Sequence, residues 1–281
     1  MSDPLVSTDW LAEHLTDPDV QVVDATWFMP AEGKLGRANF EAGHIPGAVF
    51  FDIDEIADDA TDLPHMLPTP EAFAAAAGEL GLRREATIVV YDAQGLFSAP
   101  RVWWTLRVMG FPKVFVLDGG LPKWRADGHP VTDGPGAPVA ADDLPSAFQS
   151  ELVRNLNDVS GLLQSRAAQI VDARPAGRFR GEAPEPRAGL RSGHMPGARN
   201  VPWNGLIDTD GTMKSAADIR AAFQDAAVDL ARPIVTTCGS GVSASLLALA
   251  LARLGREDVA VYDGSWTEWG GRADTPVVTG A

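Results

Sequence analysis

The sequence predicts an α/β fold built twice, as a tandem repeat of two domains, each a mostly parallel sheet flanked by helices. Three observations carry this. Short apolar runs rich in β-branched residues alternate with Ala- and Leu-rich runs of helical character, the pattern of parallel sheets covered by helices. Landmarks of the first half recur in the second half in the same order. Between the halves, from Asp133 to about Gln149, the chain is mostly Gly, Pro, Ala and Asp without periodicity, which reads as a linker. The expected organisation is a first domain over residues 1–132, a linker over 133–152 and a second domain over 153–281.

In chain order, residues 5–16 are expected to form a short helix with Ser7 as its N-cap. Val20–Asp24 is expected as a strand, Pro70–Leu82 as a helix of the Ala/Glu type, and Thr87 to Asp92 as a buried strand. Ala99–Met109 reads as a helix, Val114–Leu117 as a strand, and Asp118-Gly119-Gly120 as a turn. After the linker, Ile170-Val-Asp172-Ala repeats Val22-Val-Asp24-Ala. Gly193-His194-Met-Pro196-Gly197-Ala repeats Gly43-His44-Ile-Pro46-Gly47-Ala. The strand ending at Cys238 repeats the one ending at Asp92, and Asp263-Gly264 with Trp269 repeats Asp118-Gly119 with Trp124. The offsets of 148, 150, 146 and 145 residues keep the order with small insertions and deletions.

Composition bounds the function. The net charge of −15 argues against nucleic acid and anionic membranes as partners, and no apolar run reaches membrane-spanning length. A single cysteine excludes an internal disulfide and a cysteine-rich metal site, and no motif calls for a metal or an organic cofactor. The N-terminus shows no basic region followed by an apolar core. A cytoplasmic location is the expectation, and it suits a free thiol.

The chemistry concentrates at Ile234-Val-Thr-Thr-Cys238-Gly239-Ser240-Gly241-Val242-Ser243-Ala244, where an apolar strand ends at the only cysteine and two alternate glycines lead into a helical run, Ala244–Leu254. Such a loop turns successive backbone N–H groups inward, and the helix start adds partial positive charge. A sulfur at its base is surrounded by donors, which suits a reactive thiolate. In the first half the same register holds Asp92, so only the second half can do cysteine chemistry. Six arginines, Arg174, Arg178, Arg180, Arg187, Arg191 and Arg199, fall within 26 residues of an otherwise acidic chain. Guanidinium forks match carboxylates.

The repeat, the paired Gly-His-x-Pro-Gly motifs and the Cys238-Gly-Ser-Gly-Val-Ser243-Ala loop together resemble the two-domain rhodanese-type sulfurtransferases over nearly the whole chain. Within that family the loop is most similar to the mercaptopyruvate-specific members. Thiosulfate-specific members carry basic residues after the cysteine, where this chain has Gly239 and Ser240. The resemblance implies a persulfide intermediate on Cys238, sulfur taken from 3-mercaptopyruvate, release of pyruvate, and transfer to a thiol acceptor (thioredoxin among the candidates) or to cyanide. It implies Arg178 and Arg187 as the substrate's carboxylate and keto partners, and Gly239, Gly241, Val242 and Ser243 as the loop around the reacting sulfur. Ser240 is implied as donor to the departing enolate, in relay with His44. The family's upstream aspartate is absent from this relay; between Asp24 and His44 the only carboxylates are Glu32 and Glu41. Arg174 is expected to pair with an acidic neighbour.

Two further readings stay open: a thiosulfate:cyanide sulfurtransferase, and a non-catalytic sulfur carrier. A phosphatase of the Cys-x5-Arg type is disfavoured, because Ala244 stands where the phosphate-gripping arginine would be.

Overall fold

The computed structural model describes residues 3–136, 138 and 147–280. Packing divides the chain into two compact units. The N-terminal unit comprises the segment up to Asp59, Leu67–Gln149 and Asp208–Met213. The C-terminal unit comprises Ala60–Met66, Ser150–Ile207 and the chain from Lys214 on. Each half of the sequence therefore lends one short segment to the other unit, which the expected boundaries do not include. Part of the expected linker lies outside the described residues, and its last residues, Ser150–Leu152, form a 3-10 turn.

In the N-terminal unit the elements run β1 (Leu5–Val6), α1 (Thr8–His14), β2 (Val20–Asp24), α2 (Gly36–Ala42), β3 (Val49–Phe50), α3 (Pro70–Glu79), β4 (Thr87–Tyr91), α4 (Ala99–Val108), β5 (Val114–Leu117) and α5 (Gly120–Ala126). The C-terminal unit repeats them as β6 (Val153–Arg154), α6 (Leu156–Ser165), β7 (Gln169–Asp172), α7 (Ala176–Phe179), β8 (Arg199–Asn200), α8 (Ala216–Asp225), β9 (Ile234–Thr237), α9 (Val242–Arg253), β10 (Ala260–Tyr262) and α10 (Ser265–Gly271). The sheets have the same topology, β1-β5-β4-β2-β3 and β6-β10-β9-β7-β8, with every pairing parallel.

Burial explains the strand composition. Ile88, Val89 and Val90 are all fully buried, because helices cover both faces of a parallel sheet and alternation has no solvent face to serve. Leu11, Phe40, Val89, Tyr91 and Trp124 anchor one core; Val159, Ile170, Val235, Tyr262, Trp266 and Trp269 anchor the other. The Trp pair at equivalent positions, Trp124 and Trp269, donates its indole N–H to Pro130 and Pro276 carbonyls at 2.7 and 2.9 Å.

One expectation is corrected. Residues 5–16 are not a single helix: Leu5 and Val6 pair with Val116 and Leu117 as an edge strand, and the helix starts only after Ser7. Ser7 does cap it, its Oγ accepting the Trp10 N–H at 3.1 Å. The edge of the sheet competes for Leu5 and Val6, and two residues are too few for periodicity to reveal a strand.

The two Gly-His-x-Pro-Gly motifs do one structural job. His44 Nδ1 donates to the Phe40 carbonyl at 2.8 Å and its ring stacks on Phe40 at 3.9 Å between centroids. His194 donates to the Phe179 carbonyl at 2.9 Å and stacks on Phe179 at 3.7 Å. Each backbone also forms a bridge, His44 with Thr132 and His194 with Val278.

Candidate active site

Cys238 follows β9, the third strand of its five-stranded sheet, at the sheet's C-terminal edge. This is the end of an open α/β sheet at which sites are built. The residue is 2 % exposed. The chain then turns through Gly239, Ser240 and Gly241 into α9. Gly241 is the residue before the first helical turn and has φ +82°, a left-handed conformation that costs glycine nothing. Helix α9 is buried all round from Val242 to Ala252, so its start is fixed by the core.

The backbone N–H groups from Gly239 to Ser243 have no acceptor in the chain among the described residues. The start of a helix leaves such donors free, and here they follow directly on the sulfur. The hydroxyls of Ser240 and Ser243, both buried, likewise have no partner among the described residues.

The N-terminal unit shows what this type of loop binds. Asp92 occupies the register of Cys238. Its Oδ2 accepts N–H groups of Phe97, Ser98 and Ala99 at 2.8, 2.9 and 2.8 Å, and its Oδ1 accepts that of Gln94 at 2.8 Å. Burial pushes this carboxyl up, and the four amides oppose the rise. An anion belonging to the chain satisfies the loop of one unit. In the other, the residue in that register is a cysteine and the N–H groups that follow it have no acceptor among the described residues.

The back of the cysteine loop is held by the start of α10. The Cys238 carbonyl accepts the Trp266 N–H at 2.9 Å, matched in the other unit by Leu121 N–H on the Asp92 carbonyl at 2.9 Å. The Gly239 carbonyl accepts both the Thr267 N–H, at 2.9 Å, and the Thr267 hydroxyl, at 2.7 Å. Ser265 Oγ accepts the Cys238 N–H at 3.3 Å and donates to the Tyr262 carbonyl at 2.8 Å.

Of the arginine cluster, Arg178 reaches the loop: its Nη2 lies 3.2 Å from where a Cβ on Gly239 would be. Gly239 is thus small where a guanidinium comes down on the backbone. Arg178 is held by Glu185, whose Oε2 accepts its Nη2 at 2.5 Å and its Nε at 3.2 Å. Glu185 Oε1 accepts Arg174 Nη1 at 2.7 Å, and the Glu185 side chain is 1 % exposed. Arg174 pairs in turn with Asp172 (Nη2 to Oδ2, 2.6 Å), donates to the Gly193 carbonyl, and lies 4.2 Å over the Trp266 ring. Its charge is held firmly by these two carboxylates, against the opposing effect of burial. A buried chain of alternating charge, Asp172–Arg174–Glu185–Arg178, therefore runs to the cysteine loop, while the Arg178 side chain keeps 21 % exposure. Glu185 was not legible as a functional residue from sequence; its position between two arginines of one cluster was the available signal.

Arg187, two residues beyond Glu185, is half-buried. Arg180 pairs with Glu182 at the surface, Arg191 donates to the Gly270 and Thr275 carbonyls, and Arg199 is exposed on β8. His44 belongs to the N-terminal unit, 2 % exposed, with Nδ1 committed to Phe40. Its environment duplicates that of His194 and adds no support to a relay role.

The chain matches the rhodanese-like domain twice, over residues 7–127 and 155–272. It is 46 % identical over 273 residues to 3-mercaptopyruvate sulfurtransferase of Escherichia coli K12, covering 97 % of this chain and 96 % of that one. It is 45 % identical over 279 residues to human 3-mercaptopyruvate sulfurtransferase, covering 96 % and 92 %. Rat thiosulfate sulfurtransferase is 44 % identical over 280 residues, with the same coverage of 96 % and 92 %. Among solved structures, the 3-mercaptopyruvate sulfotransferase SseA of Escherichia coli superposes with a TM-score of 0.87 at 44 % identity, over 94 % of this chain and 99 % of SseA. Two rhodanese-like domains in tandem, aligned over nearly full length with such relatives, place this protein in the rhodanese family, with the cysteine loop in its C-terminal domain.

Proposed function

We propose that the protein transfers sulfur from 3-mercaptopyruvate to a thiol or to cyanide through a persulfide on Cys238, releasing pyruvate. The observation that carries this reading is the contrast between the two loops. In one unit the loop's N–H groups close on Asp92; in the other the N–H groups of Gly239 to Ser243, which follow directly on Cys238, have no acceptor among the described residues.

In the first step the Cys238 thiolate attacks the donor's sulfur. The carbon–sulfur bond breaks, its electron pair passes to the pyruvate enolate, and the enolate takes a proton from water at carbon to give pyruvate. Cys238 is left as a persulfide. In the second step an acceptor thiolate attacks the outer sulfur and returns Cys238 to the thiolate. This is covalent nucleophilic catalysis in two half-reactions. The N–H groups of Gly239 to Ser243 and the Ser243 hydroxyl are suited to the charge on either sulfur. In this reading Ser240, two residues after the nucleophile, donates to the enolate. Arg178 and Arg187 take the carboxylate and keto oxygens, and the approach of Arg178 to Gly239 supports its share. The resemblance adds His44 as a proton relay to Ser240; with its Nδ1 taken by the Phe40 carbonyl, only its Nε2 would serve in that role.

Thioredoxin or a small thiol is the acceptor this reading expects. The lone thiol suits a reducing compartment, which favours the cytoplasm; no helix among the described residues is long and apolar enough to cross a membrane.

The second reading, thiosulfate as donor, draws on the relative named thiosulfate sulfurtransferase. Against it, no cation follows Cys238 in the loop. Steady-state turnover of 3-mercaptopyruvate and of thiosulfate, with one thiol acceptor and a Cys238→Ser control, separates the readings. Preference for mercaptopyruvate by orders of magnitude with a dead control is the expected result. Faster turnover of thiosulfate refutes the donor assignment. Uptake of one sulfur without continued pyruvate release identifies a carrier.

A further inference from the structure

We propose that Ser265 is a positioning residue for Cys238, kept in a left-handed backbone conformation so that its hydroxyl can hold the nucleophile's own peptide unit. This rests on Cys238 being the reacting group, as proposed above.

Ser265 has φ +49°, one of four non-glycine residues with positive φ among those described, and it is fully buried. A side chain in this region is strained, and strain that the surroundings maintain is a pointer to function. The chain holds its own comparison. Gly120 occupies the same register in the N-terminal unit with φ +55°, the residue that such a conformation ordinarily calls for. The register is fixed by hydrogen bonds: the residue after each, Leu121 or Trp266, donates to the carbonyl of Asp92 or Cys238. The unit with aspartate in its loop uses glycine here; the unit with cysteine uses serine.

What the serine adds is its hydroxyl. It donates to the Tyr262 carbonyl at 2.8 Å, which orients its lone pairs, and it accepts the Cys238 N–H at 3.3 Å. With the Trp266 N–H on the Cys238 carbonyl, the peptide units on both sides of the Cys238 Cα are held. The Cα–Cβ direction follows from those two planes, so the hydroxyl fixes the position of Cβ and the axis about which Sγ turns toward the donors of Gly239 to Ser243. It also diverts the Cys238 N–H away from the sulfur, leaving the following amides as its partners.

The test compares Ser265→Gly, which removes strain and hydroxyl together, with Ser265→Ala, which removes the hydroxyl alone. Four quantities are read: the thermal midpoint, kcat and KM for 3-mercaptopyruvate, and the ratio of Cys238 alkylation rates by iodoacetate and iodoacetamide. The two reagents differ mainly in charge, so their ratio reports whether Sγ still faces the anion-attracting donors and Arg178. Expected for both variants are a KM close to the parent's, a kcat lower by about tenfold or more, and a lower iodoacetate preference. Ser265→Gly should show this without a fall in melting temperature, which separates positioning from loss of fold. Parental kcat and parental reagent preference in Ser265→Gly would overturn the proposal. So would a reduced kcat with unchanged reagent preference, because the serine would then act elsewhere than on the sulfur. If the parent fails to turn over mercaptopyruvate while the reagent ratio still falls in the variants, the donor assignment fails and the role of Ser265 stands.

Discussion

Replacing Glu185 by alanine removes a buried carboxylate that two guanidinium groups share, and its effect can be worked out from the contacts. Arg174 loses a 2.7 Å bond but keeps Asp172 on its Nε and Nη2. Arg178 loses its one carboxylate partner among the described residues. Removing one partner of a buried ion pair costs about 3–5 kcal/mol. The remaining Asp172 pairing and the partial exposure of Arg178 put the expected loss at the lower end, about 3 kcal/mol. At about 2–4 °C per kcal/mol for units of this size, the thermal midpoint should fall by about 6–12 °C. Binding should suffer separately, because Arg178 is no longer held over Gly239. A charged hydrogen bond is worth about 1.5–3 kcal/mol, so KM for mercaptopyruvate should rise about ten- to a hundredfold with a smaller change in kcat. Steady-state kinetics below the lowered midpoint, with calorimetry on the same samples, read both effects. Adding Glu185→Ala to Arg178→Ala should raise KM little further, since both remove one arrangement. A parental KM in Glu185→Ala, or fully additive effects in the double variant, would refute the idea that Glu185 presents Arg178 to the substrate.

Two more substitutions address other groups. Arg187→Ala should raise KM for mercaptopyruvate and leave alkylation of Cys238 nearly unchanged; equal KM in variant and parent removes Arg187 from the site. Asp24→Asn tests a buried carboxyl of the N-terminal unit, where Thr26 stands in the register of Arg174 and no ion pair to Asp24 is present among the described residues. Burial pushes Asp24 up to about 6 from 3.8, so the folded state binds the proton more tightly than the unfolded chain. Its contribution is present in full below the ordinary carboxylate range and is lost as pH rises through about 6, a change of about 3 kcal/mol at ~1.4 kcal/mol per pH unit. The parent's melting temperature should therefore fall more between about pH 4 and about pH 6.5 than that of Asp24→Asn; parallel curves would show that Asp24 titrates as in the unfolded chain.

The sequence carries most of the fold because the chain repeats itself. The strand ending at Cys238 is recognisable in part because the one ending at Asp92 stands 146 residues earlier with the same flanks. Elements of two residues, such as β1 and β3, escape a reading by periodicity, and only the neighbouring strands define them. The site divides in the same way. The cysteine, its glycines and the arginine cluster are local and legible. Glu185 and Ser265 act on residues 7 to 27 positions away, and their roles exist only once the fold has closed. Ser265 did leave a trace, a serine where the first copy has glycine, but its meaning depends on a backbone angle. His44 shows the opposite case: a motif with its own twin, where the repeat itself points to a turn held by stacking and a carbonyl.

The pairing of one cysteine with one aspartate also simplifies counting. With a single sulfhydryl in the chain and a carboxylate in the matching place of the other half, a thiol reagent has one address per molecule. The moles of reagent consumed by folded protein thus equal the moles of Cys238 present as thiol or as persulfide, since both react. Any shortfall against protein concentration measures the share that is oxidised. Preparations can be ranked by competent molecules instead of by mass, and turnover numbers from different batches become comparable without a separate standard.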